Sequence, residues 1–129
     1  MRTWRNLMKA VKPLYRYLEI RQTGTVTVIR FTTPALVGEE TIETVGRQLF
    51  TLEEKLGSHS LLLNFESVDS LGSAMLGKLI TLTKRRGLAG GRLALCGINQ
   101  HLFEKIFEIY RLSRFFTVYD DEEAALQAL

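Results

Sequence analysis

Cysteine is almost missing from this chain of 129 residues; Cys96 stands alone. An internal disulfide is therefore excluded, and the apolar run around Cys96 points to a buried free thiol in a reducing compartment. The two histidines, His59 and His101, have no His or Cys at metal-ligand spacing, which argues against a zinc-type site and for two solvated surface residues. No apolar run approaches the ~20 residues that a bilayer span requires. The first residues are basic without a continuous apolar stretch, so a secretory signal is not expected and a cytoplasmic location is. Internal repeats, low-complexity segments and a linker that would divide the chain are also lacking. With 46% hydrophobic and 24% charged residues, the composition suits one folded domain around one core.

Acidic residues are missing from the start. Arg2, Arg5, Lys9, Lys12 and Arg16 all precede the first acid, Glu19. Of 17 basic residues these five leave 12 against 14 acids, so the remainder is net about −2 although the whole chain is +3. A nucleic-acid partner, which needs a basic face on the folded domain, is not expected. Residues 1–16 read as a basic extension. Trp4, Leu7, Met8 and Val11 recur at helical spacing before Pro13. Such a segment can touch a membrane surface or a partner, or pack loosely on the domain.

From residue 17 the chain alternates between two periodicities. Tyr17 to Phe31 reads as two strands around a turn at Gln22-Thr23-Gly24. After the break at Thr32-Thr33-Pro34, Ile42, Val45, Leu49, Leu52 and Leu56 step by three and four along one helix stripe, closed by Lys55 and Gly57. Leu61-Leu62-Leu63-Asn64-Phe65 is a short apolar run of the kind found in strands covered on both faces. A polar loop, Glu66 to Ser73, leads into a second helix ending near Arg86, with Gly87 as its stop. Arg92 to Ile98 is another buried strand, and Asn99 can cap a third helix carrying Leu102, Phe103, Ile106, Phe107 and Tyr110 on one face. Phe115 to Tyr119 reads as a last strand, and Asp120 as the cap of a final helix with Ala125, Leu126 and Leu129. The order ββαβαβαβα implies an α/β domain with a mixed, mostly parallel sheet of about five strands and about four helices.

Gly72 to Lys78 fits the phosphate-loop spacing G-x-x-x-x-G-K between a strand and a helix. The motif needs Ser or Thr next, and this chain has Leu79. Ala74, Met75 and Leu76 read as helix and core, and the strand Arg92–Ile98 offers no carboxylate for a metal. A nucleotide-binding enzyme using residues 72–78 is thus a distant alternative, and no cofactor is expected. Paired acids such as Glu39/Glu40 and Glu53/Glu54 read as solvated helix faces.

The segment from Leu61 through Asp69-Ser70-Leu71-Gly72-Ser73-Ala74-Met75-Leu76-Gly77-Lys78-Leu79 resembles the core of the STAS (anti-sigma factor antagonist) family. There, a buried strand and an Asp-Ser-Ser/Thr-Gly-Leu-Gly turn lead into a helix. Ala89 to Cys96, Ile109 to Phe116 with Val118, and Glu123 to Leu126 are similar to the family's later segments, so that the resemblance spans residues 17–129. It implies a non-enzymatic regulator, monomeric or a weak homodimer, that binds an anti-sigma factor serine/threonine kinase and is released when a serine is phosphorylated; a phosphatase resets it. Aligned on Leu76-Gly77, that serine is Ser73, and the implied docking residues are Asp69, Ser70, Leu71, Gly72, Ser73, Ala74, Met75 and Lys78. The family acid before the serine is replaced by Gly72, its following Ser/Thr by Ala74 and its glycine by Met75. The resemblance also leaves open a scaffold or ligand-sensing subunit that is never phosphorylated.

Overall fold

A computed structural model describes residues 15–106, 111 and 113–129. Residues 1–14, most of the basic extension, lie outside that range, as do Phe107 and Tyr110.

The β-branched run after Tyr17 forms a hairpin. Strands β1 (Leu18–Thr23) and β2 (Val26–Phe31) pair antiparallel from Leu18↔Phe31 to Thr23↔Val26. Its turn falls on Gly24 and Thr25, slightly later than the sequence suggests. Strands β4 (Ser60–Asn64), β6 (Leu93–Cys96) and β7 (Thr117–Tyr119) continue the sheet in parallel, in the order β1-β2-β4-β6-β7. Two further strands, β3 (Ala35–Leu36) and β5 (Ser70–Leu71), pair parallel with each other apart from the main sheet.

Helices α1 (Glu39–Glu54) and α2 (Ser73–Leu88) cover one face. The stripe Ile42, Val45, Leu49 meets Leu79 and Leu82 of α2 over Ile29, Leu61, Leu63 and Leu95, all buried. The other face carries Val26, Val28, Leu62, Ala94 and Cys96, and receives Ala125 and Leu126 of the short final helix α4 (Glu122–Ala128). Consecutive leucines in β4 point to opposite faces, and both faces are buried, which is why the run has no polar alternation. Cys96 is fully buried. Its thiol is pushed up to about 12, first by burial and then by the nearby charges of Glu122, Asp121 and Glu66, so it is inert as a nucleophile.

The third helix opens as α3 (Gln100–Glu104), with Leu102 and Ile106 buried and Phe103 40% exposed. Two local expectations need correction. The last strand begins at Thr117, because Ser113–Phe115 form a 3-10 turn. The cap of α4 is Asp121, not Asp120: its carboxylate accepts from the Ala124 amide at 2.8 Å. Asn99 caps α3 as expected, accepting from the Leu102 amide at 2.9 Å.

Candidate functional site

The loop between β4 and α2 is held from both ends. At its start Asn64, 3% exposed, accepts from the Glu66 amide through Oδ1 at 2.8 Å and donates through Nδ2 to Glu122 Oε2 at 2.5 Å. Arg21 of β1 also donates to Glu122. At the loop's end the β3–β5 bridge zips it to the segment before α1. The Asp69 and Ser70 amides both donate to the Pro34 carbonyl, at 2.7 and 3.0 Å, and the Gly72 amide to the Leu36 carbonyl at 3.0 Å. The starts of α1 and α2 are therefore brought to the same end of the sheet, above the carboxyl ends of the parallel strands. From the third side, Asn99 of the α3 cap donates to the Val68 carbonyl at 3.3 Å.

Ser73 is the first helical residue of α2, and Gly72 is its cap, with φ −83° and ψ 158° and no side-chain capping bond. Ser73 is therefore not the cap of its helix. Its side chain is exposed and its hydroxyl has no hydrogen-bond partner among the described residues. The Met75 and Leu76 amides bond back to the Gly72 carbonyl at 3.1 and 3.3 Å. The preceding amides, of Ser73 and Ala74, are among the donors that a helix start leaves without an intrahelical acceptor. Together with the helix dipole they make this end electropositive.

The implied docking residues divide by burial. Asp69, Ser70, Ser73 and Ala74 are exposed, and Gly72 is half-buried. Leu71 and Met75 are 2% and 0% exposed, so their side chains belong to the core and offer a partner nothing. Lys78 is half-buried. Its stem lies along α1 so closely that a Cβ on Gly46 would stand 2.8 Å from Lys78 Cδ. This also removes the phosphate-loop reading: residues 73–88 are one continuous helix, with no loop to wrap a phosphate, and the lysine turns toward α1.

Two exposed apolar side chains not singled out as surface residues lie on elements bound to this loop. Val37, 42% exposed, flanks Gly72, with its Cγ1 3.6 Å from where a Cβ would sit. Phe103 lies on α3. Val37 gives no sequence signal because it follows a break rather than a periodic stripe. Asn64 does give one: it is the only polar residue in its apolar run.

Among the described residues no helix is long and apolar enough to cross a membrane. The architecture is thus a small mixed-sheet α/β domain that presents a polar turn and an unengaged serine at a strand-to-helix crossover. Residues 17–125 match the family model described as the STAS domain, and the chain belongs to that family. No curated protein matches it. Similar solved structures include an anti-sigma-factor antagonist (STAS) domain protein from Planctomyces limnophilus, at 21% identity and TM-score 0.75, covering 86% of this chain and 95% of that one. The Bacillus cell fate determinant SpoIIAA in its phosphorylated form is 18% identical, with TM-score 0.62 and coverage of 87% and 99%. Murine solute carrier 26 family member A9, an anion transporter, matches at 17% identity and TM-score 0.66, over 84% of this chain but 18% of the transporter. These likenesses share the fold.

Proposed function

We propose that this protein is an anti-sigma factor antagonist-like regulator. It docks through the exposed start of α2 to an anti-sigma factor that is also a serine kinase, and phosphorylation of Ser73 releases it. The observation that carries this reading is the exposed Ser73 hydroxyl, without a partner, on the first turn of a 16-residue helix. A phosphate there is tolerated by the domain itself, because the helix start is electropositive. Modification therefore leaves the fold intact and acts on the surface. It adds about −1.5 to −2 charges where a partner has packed around a neutral hydroxyl. A coupling of about 1–3 kcal/mol lowers affinity roughly 5- to 150-fold, enough to exchange one partner for another.

A second reading is a scaffold or sensing subunit that binds without being phosphorylated. It is favoured by Gly72, Ala74 and Met75, which stand where the family has an acid, a Ser/Thr and a glycine. The two readings separate in one experiment. The protein is purified from its native cells with whatever kinase accompanies it and incubated with ATP, and phosphate is located by mass spectrometry. Phosphate on Ser73 is the expected result; phosphate elsewhere, or none, rejects the switch and leaves the scaffold.

A further inference from the structure

Strand β1 is an edge of the five-stranded sheet. Its register with β2, together with the Thr32 amide donating to the Tyr17 carbonyl at 2.9 Å, fixes how its backbone groups alternate. In an antiparallel ladder, Tyr17, Glu19, Arg21 and Thr23 turn theirs toward β2, and Leu18, Ile20 and Gln22 turn theirs outward. The Leu18 amide reaches the Tyr15 carbonyl at 3.5 Å. The Ile20 and Gln22 amides and the Leu18, Ile20 and Gln22 carbonyls have no partner among the described residues. A six-residue edge with a half-buried isoleucine near its centre is a template for another strand.

We propose that a second copy of this chain docks on that edge, β1 against β1, antiparallel about a two-fold axis at Ile20. The strand is self-complementary about that point. The Ile20 amide donates to the carbonyl of the partner's Ile20, the Gln22 amide donates to that of the partner's Leu18, and symmetry doubles both bonds. Glu19 then falls opposite the partner's Arg21 in the non-bonded positions, where cross-strand side chains come closest. Moving the axis by one residue sets Glu19 against the partner's Glu19, or Arg21 against the partner's Arg21, so charge selects the register. Glu19 is exposed and has no ion-pair partner among the described residues. The Arg21 side chain keeps 38% of its surface while bound to Glu122. On the other side of the ribbon, Ile20 meets the partner's Ile20 and extends the apolar layer beneath α1. Such a pairing is isologous and closed. It lies two strands from β4, the strand that leads to α2, so it leaves Ser73 open.

The contact is small, so the dimer is weak, with Kd on the order of 10 µM to 1 mM. Sedimentation equilibrium of the full chain tests it. Wild type should rise from 14.7 kDa toward twice that mass as concentration increases. Gln22→Pro removes an outward amide that the monomer's own ladder does not use. Glu19→Arg places like charges at both symmetry-related contacts. Each should weaken association at least about tenfold, with an unchanged circular dichroism spectrum. A wild type that stays monomeric to ~2 mM, or a dimer indifferent to both substitutions, overturns the proposal.

Discussion

Gly72 occupies the position of the family's acid, yet nothing in its backbone calls for glycine. Its φ of −83° is open to any residue, and an added Cβ would find only ordinary contacts at 3.6 Å, with the Leu36 carbonyl and Val37. As an N-cap without a side chain it leaves first-turn amides unsatisfied. Gly72→Asp should therefore fold normally and stabilise the protein by a few tenths of a kcal/mol or more, measured as a raised urea midpoint. Gly97 is the opposite case. Its φ is +71°, and a Cβ would stand 2.8 Å from Asn64 Oδ1 and 3.1 Å from the Glu66 nitrogen. Gly97→Ala should cost about 1–3 kcal/mol in the same assay. Because it pushes on the Asn64–Glu66 bond, it should also loosen the loop that leads to Ser73. The sequence distinguishes neither glycine from the other. The difference lies in a dihedral angle and in a neighbour more than 30 positions away.

Among the elements, α1 and α2 are joined by a buried ion pair that no periodicity announces. Arg86, 2% exposed, donates to Glu53 Oε2 through Nε at 2.9 Å, to the Glu53 carbonyl at 3.0 Å and to the Gly57 and His59 carbonyls at 3.0 and 2.8 Å. Arg85 approaches the other Glu53 oxygen at 2.8 Å. Read from sequence, Glu53/Glu54 is a solvated helix face and Arg86 a helix-ending charge; the fold instead buries one residue of each. The arginine ties the carboxyl ends of both helices to the loop before β4. Arg86→Ala should lower the unfolding free energy by at most about 3–5 kcal/mol, since buried Glu53 then keeps only Arg85, against one of its two oxygens. The double change Glu53→Leu with Arg86→Met should cost less than that single change. The helices themselves were legible, because the Ile42–Val45–Leu49 stripe has one period and one buried face. The β3–β5 bridge was not: it is made by two residues from each of two distant loops, through backbone atoms that every residue type carries.

At the scale of the whole molecule, the sheet order follows from alternating strands and helices and from the both-face burial of β4 and β6, and both features are written in the apolar runs. The seating of α4 is not, because Ala125 and Leu126 are weak signals. The helix is located instead by Glu122, which receives hydrogen bonds from Arg21 and Asn64 across the sheet. Burial by itself would raise the Glu122 carboxyl. The hydrogen bonds from Asn64 and Arg21, with the charges of Arg21 and Arg30, outweigh it and hold the group below its usual 4.5. A carboxylate depressed in the folded state contributes stability above its unfolded value and loses it as pH falls through the folded one. Unfolding measured against pH should therefore show a decline below about 4.5 that Glu122→Gln reduces. The proposed docking end was legible only through resemblance, since exposure and the missing partner of Ser73 depend on Gly72 taking the cap. Its role is tested most directly by titrating the co-purifying kinase against wild type, Ser73→Ala and Ser73→Glu in a calorimeter. The alanine form should bind within about twofold of wild type and the glutamate form roughly 5- to 150-fold more weakly; equal affinity of all three contradicts control by charge at the start of α2.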